Sequence, residues 1–380
     1  MNTSKNKGDY ILSIAATIQC FLVILQQCLI YIFHMDPEAT TIYRVVLSAI
    51  PMIFAFYYIL KRKAKSTFIV YAITLTVLLI QYIIFPLNSE YIILHASRFL
   101  LPIVIPTTLA VFAIKKIAIL RRVLLVVSWG TLILAVVYVV SFLNGIFVID
   151  TYNMGFSYGL LLPTLVLYTH KKKYSLMGAA FLFLLIISIG SRGAAIVIVF
   201  YILYDIIFNN PKYFFPLFGV GILSLLFITQ ISQYLSGIGI HSRTLSLFEH
   251  GAITQDSGRG EIYQKAIHFI SESPILGHGL YFDRVFLNGA YCHNLFLEAF
   301  LNWGLPLGVI FFLILFYKSA RVYMSSLIVD KNLLVILFFS SVIPLMVSGS
   351  YLDDYTFALF LGFLFRVACP NRRFTVPVND

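Results

Sequence analysis

The sequence predicts an all-α, polytopic membrane protein of about 12 transmembrane helices, with one long, partly helical loop on the extracytoplasmic side. Three observations predict it. Hydrophobic residues make up 60% of the 380 and charged residues only 11%, and the mean hydropathy is +0.92. That composition leaves too little polar surface to keep a domain of this size in water. Apolar runs of about 17–25 residues, the length that crosses a hydrocarbon core as a helix, recur from end to end. Basic residues gather in alternate connections between the runs, the pattern of a multi-pass chain.

The first run, Tyr10–Phe33, is too long for the apolar part of a secretory signal and lacks a small-residue cleavage pattern, so it is read as a retained span. Spans are expected near 10–32, 43–60, 67–85, 92–114, 122–143, 153–169, 175–190, 193–208, 213–231, 292–316, 333–349 and 355–368. Pro102 and Pro106 fall inside the fourth, where a missing N–H and a ring clash with the preceding turn predict a kink. The chain is one integral domain: residues 1–231 carry nine spans, 232–291 the external loop, and 292–380 three spans and a tail.

Twelve spans put both termini on one side. The clusters 61–65, 115–122 and 170–173, with Lys5, Lys7, Lys212, Lys318, Arg321, Lys331, Arg366, Arg372 and Arg373, hold 20 of the 27 basic residues on that side, which is therefore cytoplasmic. The net charge of +11 follows from topology and anionic lipid, and nucleic acid is not an expected partner. The other seven basic residues, Arg44, Arg98, Arg192, Arg243, Arg259, Lys265 and Arg284, face twelve acidic ones outside. Six arginines against one lysine on an otherwise acidic face point to forked recognition of an oxyanion. Cys20, Cys28, Cys292 and Cys369 show no metal-ligand spacing and no disulfide framework.

The only long connection, Ser232–Tyr291, contains SGRGEIYQKAIHFISESPILGHG (257–279). Ile262, Tyr263, Ala266, Ile267, Phe269 and Ile270 recur at helical spacing with Glu261, Gln264, Lys265 and His268 between them. Asp256 or Ser257 caps this helix, Pro274 follows its end, and Arg259 stands in the first turn, where free N–H groups favour an anion. An amphipathic helix lying on the bilayer is the competing reading. Downstream, His293 and Asn294 open a span that carries Glu298 about a turn and a half in. A carboxylate at that depth costs several kcal/mol unless it is satisfied, so it is a functional candidate by default. Asn294, Glu298 and Asn302 lie on one helical stripe that faces protein or water. Glu298 is expected to pair with an arginine; a protonated acid bonded between helices is the structural alternative.

GRGEIYQKAIHFISESPILGHG followed by HNLFLEAFLNWGLPLG resembles the signature of the O-antigen ligase and polymerase superfamily of bacterial envelope glycosyltransferases. In that family a Gly-Arg-x-x-Ile-aromatic helix and a Pro-x-x-Gly-x-Gly turn precede a His-Asn-x-x-Leu-Glu start. Gly304 and Gly308 fit its following glycine pair, expected to serve helix packing, and ISIGSRGAAIVIVF (187–200) looks like its Ser-Arg segment. Tyr263 stands where many members have tryptophan and Phe296 where tyrosine is common.

The resemblance implies a GT-C-like membrane fold and the polymerisation of undecaprenyl-pyrophosphate-linked repeat units, as O-antigen or capsule, by inverting transfer at the outer face of the cytoplasmic membrane. Arg192 and Arg259 would bind the pyrophosphate, with Arg98 as a third partner, and His293 would be the general base on the acceptor hydroxyl. Asn294 and Glu298 would support them, with direct action of Glu298 on the acceptor as the alternative. No metal and no cofactor are expected; the partners are lipid-linked glycan donor and acceptor, membrane lipid and, optionally, a chain-length regulator. Ligation of polymer to a lipid A core shares these motifs, and a lipid-linked oligosaccharide flippase is the rival from another class. Asp353 and Asp354 are read as a solvated turn that could also bind sugar hydroxyls or serve as an alternative base, and His278 as a loop-shaping residue. The roles of Arg44 and Arg243 stay open between glycan and headgroup.

Overall fold

The computed structural model describes residues 3–147, 153–189, 191–213, 228–237, 259–325 and 328–368. Every regular element among them is helical. Helix α1, Thr3–Ile32, lies at the centre of the first half and packs against five other described helices. Its buried Ala15, Ala16 and Cys20 are small enough to let neighbouring backbones approach closely.

Helix α2, Pro37–Ile84, is begun by Asp36, whose carboxylate accepts from Ala39 N at 2.8 Å. It breaks at Lys63, where φ and ψ are −145° and 30°. Phe56 and Tyr71 would stand roughly 22 Å apart along a straight helix, yet their ring centroids are 6.4 Å apart. The element is therefore two limbs folded back on each other, over the ranges expected for the second and third spans. Ile53, Phe54, Phe68 and Ile83 leave an exposed apolar face on both limbs, which suits contact with lipid.

The fourth expected span runs through α3, Ser89–His95, a π-helical segment, Ala96–Val104, and α4, Ile105–Ala113. The expected kink takes the form of that segment. Pro102 cannot donate, and the wider spacing lets Ile105 N bond to Leu100 O, five residues back.

Helices α5 (Ile117–Leu143), α6 (Met154–Thr169), α7 (Lys173–Ser188) and α8 (Arg192–Asn209) follow, and α13 (Ile328–Leu345) and α14 (Tyr355–Ala368) close the chain. These fall where spans were expected. The span expected near 213–231 lies outside the described residues, apart from Tyr213 and the first turn of α9, Ile228–Gly237. Six of the described helical stretches are long and apolar enough to cross a membrane, and three shorter apolar helices accompany them.

The span expected at 292–316 is corrected. Helix α12, Leu295–Ser325, reverses at Gly304, where φ is 73° and ψ 171°. Phe296 and Phe312, roughly 24 Å apart on a straight helix, have ring centroids 4.6 Å apart. Leu295–Trp303 is thus a short arm folded against the long arm that follows. Gly304 and Gly308 do not mark a contact with another helix: Gly304 makes the reversal, and Gly308 receives Phe300 of the short arm.

The bundle has two chemically distinct ends. At one, Asp9 accepts from Lys115 N and Lys116 N at 3.0 and 3.2 Å and pairs with Arg62, while Arg366 donates to Ile114 O and Lys115 O. The basic connections 61–65 and 115–122 meet there. Helix α14 leads from Asp353, just ahead of its start, to Arg366 in its last turn, so about 21 Å of helix separates that end from the site.

Candidate active site

The loop that carries the site is held by backbone-to-backbone contacts only glycine permits. Helix α10, Arg259–Glu272, carries Arg259 in its first described turn, the cap expected at Asp256 or Ser257 lying outside the described residues, and buries Ala266 and Ile270 against α12, with Ile262 and Phe269 beside them. The amphipathic helix therefore docks on protein. In the turn that follows, His278 N donates to Leu301 O and Leu305 N to Pro274 O, both at 2.7 Å. Gly277 has φ 70°, and a Cβ there would meet Gly304 N and Leu301 O at 2.6 Å. Gln81 and Asn88 clamp the same turn, accepting from Leu280 N at 3.0 Å and donating to His278 O at 2.8 Å. His278 stacks on Phe282, and its Nε2 lies 2.7 Å from Phe269 O, so it shapes the loop.

At the centre is an arginine that sequence reasoning grouped with six other external cations and assigned no role. Arg284, in α11 (Phe282–Phe286), is 1% exposed. Its Nη1 bonds both oxygens of Asp283, at 2.7 and 2.6 Å, and reaches Glu298 Oε1 at 3.3 Å; its Nη2 reaches Asp353 Oδ2 at 3.3 Å. Glu298 also accepts from Ser350 Oγ and from Tyr351 N at 3.3 Å. The expectation that Glu298 pairs with an arginine is met by Arg284. Burial alone would pull that guanidinium's pKa down, but Asp283, Glu298 and Asp353 outweigh it and hold it above the ordinary value. A solvated turn at Asp353 and Asp354 is corrected: Asp353 is bonded into this network, and Asp354 caps α14 by accepting from Phe357 N at 2.7 Å.

Tyr281 and Tyr291 lie on the guanidinium, with centroids 5.3 and 5.6 Å away. Each ring then meets a histidine: His95 stacks on Tyr281 at 5.0 Å, and His293 lies 4.3 Å from Tyr291. An imidazole, a phenol, the guanidinium, a second phenol and a second imidazole thus form one run of contacts across the mouth of the bundle.

His293 has φ 55°, a left-handed conformation uncommon outside glycine, of the kind that gathers at functional sites. Tyr263 Oη donates to its carbonyl at 3.4 Å, which ties it to α10. Its Nδ1 is buried with no hydrogen-bond partner among the described residues. Burial and then the positive charge of Arg259 push its pKa down to about 4, with Arg284 adding to the shift and Asp283 opposing it. Arg259 and His293 are therefore within each other's field, and the imidazole is neutral at neutral pH. Asn294 is the N-cap of α12, its Oδ1 accepting from Phe296 N and Leu297 N at 3.0 and 3.2 Å. Asn302 is buried and donates to Tyr351 Oη at 3.0 Å, so the stripe it shares with Glu298 faces protein.

Arg192 begins α8 at the same end of the bundle: a Cβ on Gly193 would lie 3.5 Å from Val347, in the loop that carries Ser350 and Asp353. Arg98 lies exposed on the π segment, three residues after His95. Neither forms an ion pair with the buried cluster among the described residues. Arg44 donates to Gln26 Oε1 at 3.0 Å between α1 and α2, and Arg243 lies outside the described residues. Sequence reasoning missed His95, the lone histidine of an apolar span, Arg284 and Asp283, whose one signal was their adjacency, and the two tyrosines on the guanidinium, Tyr281 and Tyr291.

Residues 177–313 match the family model described as O-antigen ligase. The match covers 137 of the 380 residues. It includes Arg192, Arg259, Arg284, His293 and Glu298, whereas His95 and Asp353 lie outside it. No curated protein matches the chain. Among the described residues, no group of three or more His, Cys, Asp and Glu is placed to hold a metal ion.

Proposed function

We propose that this protein is a member of the O-antigen ligase and polymerase superfamily and polymerises undecaprenyl-pyrophosphate-linked repeat units by metal-independent, inverting glycosyl transfer at the extracytoplasmic face, with both termini in the cytoplasm. The observation that carries the reading is His293, held strained and neutral within the field of Arg259 at the end of the bundle opposite the basic connections. Arg259 and Arg192 take the donor pyrophosphate, with Arg98 as a third cation, and stabilise the charge that collects on it as the anomeric C–O bond breaks. His293 takes the proton of the acceptor hydroxyl as its oxygen attacks in line. Arg284 is not one of the phosphate ligands, since three carboxylates already surround it.

The low pKa of His293 belongs to the protein without substrate. A pyrophosphate bound beside Arg259 offsets the positive charge that depresses it, so substrate makes the base stronger. The sign of the pH dependence follows. Activity needs the neutral imidazole and is lost as pH falls through its pKa, so the acid limb of kcat/KM should lie near 4. The limb of kcat, which reports the bound complex, should lie higher. Limbs at one pH in both profiles would contradict this coupling.

The activity test is joining of lipid-linked repeats by the purified protein in liposomes. His293→Ala should lower kcat by about 10²–10⁴, and Arg192→Ala and Arg259→Ala should each weaken transfer. Full activity in all three would overturn the residue assignment. In cells, loss of the gene should leave unpolymerised single repeats; unattached long chains would mean ligation to a lipid A core instead.

A further inference from the structure

His95 and Asp353 come from elements 258 residues apart, α3 and the loop before α14, and lie outside the family-matched segment. They meet at the site. His95 Nδ1 is 2.8 Å from Asp353 Oδ2, and Tyr281 Oη donates to Asp353 Oδ1 at 3.2 Å. Both side chains keep 18% exposure, unlike Arg284, Asp283 and Glu298 behind them. His95 Nε2 has no hydrogen bond among the described residues, nor is it among their buried unpartnered atoms, so it is the open end of the pair. Tyr91, Phe99 and Tyr281 surround the imidazole with rings 6.5, 6.0 and 5.0 Å away.

The charge of this face differs from that around His293. Asp283, Glu298 and Asp353 already share the single guanidinium of Arg284, so that cation is not free beside Asp353 for a pyrophosphate. Hydroxyl groups suit it well: an imidazole nitrogen and a partly open carboxylate offer a donor or acceptor and an acceptor side by side, flanked by aromatic rings on which a sugar face can rest.

We infer that His95 and Asp353 form a hydroxyl-binding station that positions the acceptor glycan, with uncharged sugar hydroxyls as its ligands, linked to His293 through Tyr281, Arg284 and Tyr291. This rests on the proposed transfer reaction and adds an acceptor contact to it. Asp353 fixes the ring and its tautomer, and Nε2 meets the sugar. His95 is a binding residue here, and the proton still goes to His293.

The test measures transfer by the full-length protein in liposomes, with donor and acceptor lipid-linked repeats varied separately. His95→Ala should raise the acceptor KM about tenfold or more and leave the donor KM unchanged. His95→Gln, which can still bond a hydroxyl, should recover much of the loss, and neither variant should move the acid limb of kcat. An unchanged acceptor KM in His95→Ala overturns the inference, as does a shifted kcat limb, which would make His95 the base. Equal thermal unfolding of variants and parent separates these results from misfolding. Wild-type protein that joins no repeats would refute the transfer reading itself, whereas normal transfer with an indifferent His95 refutes only this one.

Discussion

Arg284→Ala is expected to be the most destabilising single substitution at the site. The guanidinium is 1% exposed and lies among Asp283, Glu298 and Asp353, two of which are themselves buried. Removing it leaves carboxylates packed together without the charge that justified burying them, and breaking a buried pair in this way costs about 3–5 kcal/mol. The larger part of that cost is repulsion and desolvation of the partners left behind, so neutralising them should restore stability. Arg284→Met with Glu298→Gln should unfold at a higher temperature than Arg284→Met alone, although it lacks one more native group. Thermal unfolding of the detergent-solubilised protein measures both. If the single variant melts with the parent, or the second substitution lowers the melting temperature further, the cluster is not held by charge compensation. Arg284→Lys should fall between parent and alanine, because a single ammonium cannot reach Asp283, Glu298 and Asp353 with the fork that Nη1 and Nη2 provide.

That cluster also marks the boundary of what local sequence can convey. Helix positions were legible because a bilayer sets one length and one composition for anything that crosses it, so Ile117–Leu143 and Arg192–Asn209 stand close to where apolar runs begin and end. The docked face of α10 was legible for the same kind of reason: Ala266 and Ile270 repeat at the helical period. Arg284 was not. In sequence it is one external arginine among six, and two of its three carboxylate partners lie 14 and 69 residues away. Asp353 looked like half of a solvated pair because a turn and a buried ion-pair network use the same residues. His95 carried only the weak signal of a histidine inside an expected span, and the packing of Tyr281 and Asp353 onto it is what gives it a role. The motif around His293 found the part of the site that is contiguous in the chain, and the remainder is assembled from α3 and the loop before α14.

The reversal at Gly304 was illegible for a different reason, and it carries the second large prediction. Hydropathy measures how long a run is and says nothing of its direction, so 292–316 reads as one span although the chain turns back inside it. Gly304→Ala should destroy that turn. At φ 73° and ψ 171° the backbone occupies a region open essentially to glycine, which costs about 1–3 kcal/mol for any other residue. Space is a separate obstacle: the added Cβ would lie 2.2 Å from Ile275 O and 3.0 Å from Gly277 N, and both are backbone of the turn that docks there. Relief requires the turn 274–279 and the short arm to part. Glu298 and Asn302 ride on that arm and His293 stands at its head, so the expected result is loss of transfer activity together with a lowered melting temperature. Gly308→Ala is the control within the same glycine pair. Its Cβ would meet Phe300 Cδ1 at 2.4 Å, a ring edge that can rotate away, and its backbone needs no positive φ. It should lose much less of both. Equal losses in the two variants would mean that the pair serves ordinary helix packing, as its spacing alone suggests, and that the backbone reversal at Gly304 is not what places Glu298 against Arg284.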